Sequence, residues 1–558
     1  MLRAGPRITT TNRGREIGRI ERRPPAFHVR ARFPGRRPVS ARLVVSDDPG
    51  VRTSSMKRAV RRLALSLAAS VVVLSGSGGS AQSQTTANAN ANTNPNGIAG
   101  GSTSGRAPGI EAAVRALVRD RALKDAQIGV VVMDAENGDI LAQAGEHTVL
   151  NPASNAKLYT AAAALAMLKA THRYQTTLSG SVKSGGVSNL VLRGHGDPSL
   201  RSRDLWQMVA ELKAYGVRRI EGDIFVDQKF FDEQTTPPAF EQQPNEWAAF
   251  RAPVSAVALN GNTVTLAVRP TSTDQPAVSW FDPPGFVDVD GSVKTGDDGA
   301  DSVILALSPN GKRLSAKLAG TVGADAKLVR YTRRVDDPRL LAGYALKAIL
   351  EEQGLKVAGD VKLGSGGEKV SVIARHESEP LSALLYPVGK NSDNFYAEMV
   401  FKSIAAEGKA RPAKSQESAE MVSAWLMKND LGDAGVVIKN GSGLFDSNRT
   451  TAFSTAKLLR HCWQDSSVKN EFVAQLAIGG VDGTLHKRFR DTRARRAIRA
   501  KTGTLDDAIA LSGYVLGPSG KNTIAFSILF NRVAGHAASA RMAADKLVQL
   551  IYERQWKQ

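Results

Sequence analysis

The sequence predicts an α+β fold: an antiparallel sheet packed with helices, assembled from both ends of a globular body and interrupted by a large β-rich insertion. Three observations carry this. Apolar runs with strand character stand near the front of the body, at 128–133 and 140–142, and again near its end, at 497–504, 509–516 and 523–530. Helical segments flank both groups, the strongest being the Ala/Leu-rich 153–169. Between the two groups, 176–375 changes texture to short alternating strands and Gly/Asp/Pro turns. The 558 residues amount to two to four domains at roughly 100–200 residues each. With 42% hydrophobic and 23% charged residues, the profile is that of a soluble globular protein. It excludes a collagen-like, fully disordered or polytopic membrane chain.

The first 108 residues read as something other than folded body. Residues 1–55 hold thirteen Arg, no Lys and four acids, show no helical or strand period, and read as a mis-called upstream extension. A signal peptide is expected at 56–81. Lys57, Arg58, Arg61 and Arg62 form its basic start, 63–74 is an apolar run, and Gly79 and Ala81 supply the small residues of a cleavage point. That run is twelve residues, against the about 20 needed to span a bilayer. Residues 82–108, rich in Asn, Thr, Gly and Ser, are expected to be a disordered linker. A periplasmic or extracytoplasmic location follows, with peripheral or no membrane association. The formal net charge of +21 falls to +8 once 1–55, at +9, and 56–81, at +4, are set aside. The body is therefore mildly basic, and no nucleic-acid partner is expected. A single cysteine, Cys462, excludes an intramolecular disulfide and a Cys-based metal site. H-E-x-x-H is absent, and neither a metal nor a cofactor is expected.

From residue 109 the pattern is periodic. Ile110, Val114, Leu117 and Val118 recur at helical spacing. Asn137-Gly138 then joins the two front strands as a hairpin turn. Within 176–375, strands are expected at 190–192, 220–227, 264–268, 303–307 and 316–319, and a helix at 338–354 stopped by Gly354. Helices return at 380–386, 391–407, 414–428, 451–463 and 468–477. The late strands are joined by Asp506-Asp507 and by 518–522, and a helix at 537–552 closes the body.

Three short patterns carry chemistry, and each occurs more than once. Ser-x-x-Lys begins at Ser54, Ser154, Ser454 and Ser466; Ser-x-Asn at Ser308 and Ser392; Lys-Thr-Gly at Lys294 and Lys501. Context selects among them. Ser154 opens a long helix after Asn151-Pro152, and Lys157 lies three residues on, on the same face. A nucleophile there sits in the positive potential of a helix start. Ser454 also begins a helix, but no Ser-x-Asn follows it, and Lys457 reads as a solvated lysine. Ser466 fails the same order test, and Ser54 lies in the extension. Ser308-Pro309-Asn310-Gly311 reads as a β-turn, whereas Ser392-Asp393-Asn394 starts a helix. Lys294-Thr295-Gly296 sits among four aspartates and reads as an acidic loop. Lys501-Thr502-Gly503-Thr504 ends a strand, whose edge suits a peptide backbone. Ser154, Ser392 and Lys501 alone give all three motifs in order on suitable elements.

In these motifs the chain resembles the serine D-alanyl-D-alanine peptidases and β-lactamases. More closely, over about 115–556, it is similar to the type-4, class C low-molecular-mass penicillin-binding proteins, the D-Ala-D-Ala carboxypeptidase/endopeptidases. Supporting runs are 152–157, 194–198, 252–260, 441–444 and 482–485. The resemblance implies a β-lactamase/transpeptidase-like fold carrying two nested smaller domains in the 238-residue gap from Ser154 to Ser392. The expected division is 109–175 plus 376–558 as catalytic domain, 176–261 plus 331–375 as inserted domain II, and 262–330 as nested domain III.

The resemblance, with the chemistry of the side chains, also implies roles. Ser154 attacks a carbonyl and forms an acyl-enzyme, with Lys157 as its base. A lysine does this only if desolvation or a neighbouring cation lowers its pKa, and Lys501 is such a cation. Ser392 relays the proton to the leaving amine and Asn394 holds the substrate amide. Lys501 and Thr502 receive the terminal carboxylate, and Gly503 lets substrate approach the strand. The N–H groups of Ser154 and Thr504 form an oxyanion hole. Asp227 reaches over the site toward a substrate amine, and His195 is a turn residue, solvent-facing or capping. At 441–444 the chain departs from the family: Asn440 precedes and Phe445-Asp446 follow, where relatives often carry Asp before and Ser-Arg after. The implied partners are peptidoglycan stem peptides as substrate and β-lactam antibiotics as covalent inhibitors. Two alternatives stand beside this reading. A β-lactamase would need a deacylating base in E-x-x-L-N or Tyr-x-Asn, and neither occurs. A non-catalytic β-lactam- or peptidoglycan-binding protein would not need the full Ser, Lys, Asn and Lys set.

Overall fold

The structure is a computed structural model that describes residues 107–557, apart from 368–369 and 409–410. The expected upstream extension, the signal peptide and nearly all of the linker lie outside the described residues. No helix among the described residues is long and apolar enough to cross a membrane.

A six-stranded antiparallel sheet is built from the two ends of the body. Its strands are β1 (Gln127–Asp134), β2 (Ile140–Ala144), β3 (Ala477–Ile478), β4 (Ile498–Leu505), β5 (Ala508–Val515) and β6 (Ile524–Asn531), in the order β2-β1-β6-β5-β4-β3. The front hairpin and the late strands thus share one sheet, joined where Val130 pairs with Ile528. Both faces of the sheet are covered, which is why the central strands read as unbroken apolar runs. Val130, Val132, Leu511 and Phe526 pack on one side with Ile110 and Val114 of α1 (Pro108–Val118). Val131, Met133 and Leu529 face the other side, against Leu150 and Ala456.

The helices that follow are α2 (Ala156–Leu168), α3 (Leu381–Lys390), α4 (Asn394–Glu407), α5 (Ser415–Lys428), α6 (Ala452–Gln464), α7 (Lys469–Ala474) and α8 (Ala537–Lys557). Of these, α8 joins α1 on the first face through Leu547 and Ile551. Leu158 and Leu165 of α2, Leu384 of α3 and Met399 and Phe401 of α4 form a second core. All but the last residue of α4 are buried, including the polar Asn394, Glu398, Lys402 and Ser403.

The stretch between the two ends forms its own sheets. A mixed five-stranded sheet runs in the order Val361–Leu363, Ile224–Asp227, Leu190–Gly194, Gln175–Gly180, Ser371–Glu377. Helices Ser202–Ala214 and Leu341–Glu352 contribute Leu205, Met208 and Leu346 to the core beside it. Residues 263–334 make three further small sheets. Two sequence readings need correction here. Ser308 and Pro309 do not form a turn: they continue an edge strand, Ile304–Asn310, opposite Ser315 and Leu314. The reversal falls at Gly311-Lys312, because Gly311, at φ 59°, accepts the left-handed conformation and proline is tolerated at a sheet edge. Lys294–Gly296 is likewise a short strand paired with Thr321–Gly323, not a loop.

The insertion is not a separable appendage. Phe230, Phe231, Ala252, Val254, Ala256 and Ala258 belong to the same core as α2, α3 and α4. Buried Lys402 of α4 makes an ion pair with Asp232.

Candidate active site

Ser154 sits in a 3-10 turn, Ala153–Asn155, that runs directly into α2. Ala153, just before it, is left-handed at φ 47°. Lys157 lies one turn on and is buried. Its Nζ is 3.1 Å from Ser154 Oγ. The same nitrogen donates to Asn394 Oδ1 and to the Ser442 carbonyl, both at 2.7 Å. This arrangement suits a neutral amine. With two N–H groups on the two carbonyl acceptors, the deprotonated amine turns its lone pair to the serine hydroxyl. Burial, with no bound carboxylate to offset it, lowers the Lys157 pKa from 10.5 to about 7; Glu398 and Asp393 pull weakly the other way. Desolvation is thus the leading cause, and Lys501, the neighbouring cation expected from sequence, is not among the causes.

The second motif stands at the start of α4. Ser392 is left-handed at φ 61°, a strained backbone held by its surroundings. Asp393 caps the helix, its Oδ1 accepting the Tyr396 N–H at 3.0 Å. Asn394 is then fixed from two sides, since its Nδ2 donates to the Phe250 carbonyl at 2.9 Å while its Oδ1 holds Lys157. Lys501, on β4, donates to Ser392 Oγ at 2.8 Å and to the Thr502 carbonyl at 2.7 Å. Burial, then the charge of Lys157, push its pKa well below the ordinary lysine range. Ser154, Lys157, Ser392, Asn394 and Lys501 therefore form one connected cluster.

The remaining candidates divide. Thr502 is half-buried and its hydroxyl donates to Thr484 Oγ1 at 2.9 Å. Thr504 is exposed near the end of β4. β3 covers β4 only at Arg499 and Ala500, so the outer edge from Lys501 onward has no partner strand among the described residues. Gly503 has a structural use beside the one expected. A Cβ there would meet the Pro152 carbonyl at 2.9 Å and Ala153 Cβ at 3.1 Å, so the missing side chain seats the turn that carries Ser154. Asp227 is also corrected. It is buried, accepts from Arg193 Nε at 2.8 Å and from the Lys229 N–H at 3.1 Å, and touches none of the five clustered residues. Its carboxylate is already spent on the insertion's own sheet. His195 is half-buried rather than solvent-facing, with Nδ1 3.0 Å from the Gln175 carbonyl and its ring edge-on to Phe230. In the departing segment Asn440 Oδ1 accepts the Gly443 N–H at 2.9 Å, Asn440 Nδ2 donates to the Pro238 carbonyl at 2.8 Å, and Asp446 pairs with Arg449.

Three participants were missed by the motif reading. Glu398, one turn after Asn394 on α4, is buried and accepts the N–H groups of Gly441 at 3.0 Å and Ser442 at 2.8 Å. It thereby holds the peptide whose carbonyl receives Lys157. Burial raises the Glu398 pKa, opposed by those hydrogen bonds and by Lys157. An acid inside the helix body, flanked by Ala397 and Met399, was the available signal. Phe250 and Ser442 act through backbone carbonyls, which leave no trace in side-chain patterns.

Fold and site define a serine-type peptidase of the acyl-enzyme class. The chain belongs to the D-Ala-D-Ala carboxypeptidase 3 (S13) family, whose model matches residues 110–553. It is 35% identical over 455 residues to the D-alanyl-D-alanine carboxypeptidase of Actinomadura sp. (strain R39), covering 78% of this chain and 82% of that protein. It is 24% identical over 430 residues to the D-alanyl-D-alanine carboxypeptidase DacB of Haemophilus influenzae, covering 76% and 89%. The crystal structure of penicillin-binding protein 4 (dacB) from Haemophilus influenzae shares the fold, with a TM-score of 0.65 at 23% identity over 80% of this chain and 98% of that one.

Proposed function

We propose that the chain cleaves D-Ala-containing bonds of peptidoglycan stem peptides through an acyl-enzyme on Ser154. The observation that carries this is the Lys157 amine, buried between two acceptors with Ser154 Oγ at 3.1 Å. Lys157 takes the hydroxyl proton as Ser154 Oγ attacks the carbonyl carbon of the penultimate D-Ala. The N–H groups of Ser154 and Thr504 hold the developing oxyanion. The C–N bond breaks as Ser392 relays a proton to the leaving nitrogen, and water then hydrolyses the ester. Lys501 and Thr502 receive the terminal carboxylate, and the free edge of β4 takes the peptide backbone as an added strand. β-Lactams enter the same path and stay as the acyl adduct. An extracytoplasmic location and the three-part domain division given above belong to the same reading. The six-stranded sheet draws all its strands from the catalytic part, which supports the division, while strand Val329–Arg334 crosses the 330/331 boundary to pair with Thr263–Arg269 of the nested part.

The test is incubation of the chain with a fluorescent penicillin, a D-Ala-D-Ala pentapeptide and a cross-linked dimer. A stable adduct with released D-Ala is expected, and the dimer compared with the pentapeptide sets the balance of endopeptidase to carboxypeptidase action. Rapid turnover of the penicillin would make it a β-lactamase, and neither adduct nor D-Ala would make it a binder.

A further inference from the structure

Of the net charge of +8 on residues 82–558, +6 falls within 486–499, where Lys487 and six arginines meet a single acid, Asp491. The mildly basic body is therefore nearly neutral except in this one segment. The segment is ordered. Leu485, Phe489 and Ala494 turn inward and are buried. The Arg495 N–H donates to the Thr492 carbonyl at 3.2 Å and the Arg496 N–H to the Gly479 carbonyl at 2.9 Å. With those anchors in place, Lys487, Arg490, Arg493, Arg495 and Arg496 are exposed. Among the described residues no carboxylate pairs with any of the five, whereas Arg488 is taken by Asp545.

Position gives this charge a direction. The loop leaves the turn of Thr484, whose hydroxyl accepts from Thr502, and returns into β4 two residues before Lys501. It thus borders the strand edge where the proposed substrate lies. We infer that the loop is a docking surface for the ionised carboxylates of polymeric peptidoglycan, an inference that rests on the functional reading above. A peptidoglycan strand repeats its stem peptides, so delivering one to Ser154 brings the carboxylates of its neighbours alongside the protein. Four of the five exposed cations are arginines, whose forked guanidinium matches a carboxylate in two hydrogen bonds. Single exposed pairs contribute little. Together they act on capture rate and salt dependence.

The test compares the full chain with the variant Lys487→Gln/Arg490→Gln/Arg493→Gln/Arg495→Gln. D-Ala release from insoluble peptidoglycan at low salt is expected to fall about tenfold, and the difference to close as salt is raised. Acylation by penicillin and D-Ala release from a short blocked tripeptide are expected to stay within about twofold. Unchanged action on insoluble peptidoglycan would overturn the inference. Sedimentation with peptidoglycan identifies the anion. Binding is expected to survive removal of phosphodiester-linked polymers and to be lost when carboxyl groups are amidated. The reverse pattern, or equal loop-dependent binding to phosphatidylglycerol vesicles, would assign the loop to phosphate and overturn it. A wild-type chain with neither penicillin adduct nor D-Ala release would overturn the functional reading instead.

Discussion

Ser154 and Ser454 both stand at helix starts with lysine three residues on, and their surroundings separate them. Ser454 is buried and its hydroxyl donates to the Leu431 carbonyl at 2.6 Å, while Lys457 reaches away to Asp430 at 2.7 Å. Ser154→Ala is expected to abolish labelling by a fluorescent penicillin with little change in melting temperature. Ser454→Ala is expected to keep labelling and to lose about 1 kcal/mol of stability with its buried hydrogen bond. Gel fluorescence and thermal melts check both. The same residue scale sets the pH profile. Lys157 must be neutral to accept the Ser154 proton, so acylation is expected to rise as pH climbs through about 7. The carboxylate of Glu398 raises the Lys157 pKa, so Glu398→Gln removes that pull and is expected to move the acidic limb to lower pH. Lys501→Ala is expected to slow acylation without moving the limb, since burial leads among the causes acting on Lys157. Second-order acylation rates across pH decide both, and a limb unmoved by Glu398→Gln would reduce that residue to packing.

At the scale of elements, the site depends on close approaches that a single methyl group breaks. Gly503 lets β4 lie against the turn of Ser154, with a Cβ there 2.9 Å from the Pro152 carbonyl. Gly443, at φ 71°, has the Ala153 carbonyl 1.9 Å from where its Cβ would stand. Gly503→Ala is therefore expected to slow penicillin acylation by shifting Ser154 away from Lys157, an effect the acylation rate constant reports directly. Unaltered acylation would show that the turn yields without cost. Both glycines lie inside recognisable motifs, yet only the packed structure shows that they seat the protein's own turns.

At the scale of the whole molecule, the insertion and the helical core are one mechanical body. Because both halves of the main sheet come from outside 176–375, the sequence points to a block whose deletion leaves β-lactam acylation intact and impairs only action on polymeric peptidoglycan. The structure contradicts this, because the Phe250 carbonyl holds Asn394 and because Phe230 and Phe231 are core residues beside α4. Lys402 is fully buried and its ammonium is neutralised by Asp232 from the insertion. Asp232→Ala leaves that charge unpaired and is expected to cost about 3–5 kcal/mol, read as a lowered melting temperature. A melt unchanged from wild type would mean that the two parts are held together by other contacts.

The sequence by itself determined the class of fold, the three motifs and their order, because apolar periodicity and side-chain chemistry are local properties of the chain. β1 and β4 through β6, and helices α2, α4 and α6, stand within a few residues of where period and composition put them. Only the tertiary structure decided what is set by distant backbone. The Ser442 and Phe250 carbonyls, the seating of Gly503 and the engagement of Asp227 by Arg193 depend on segments far apart in the chain. The pKa of Lys157 follows from burial, a property no spacing encodes.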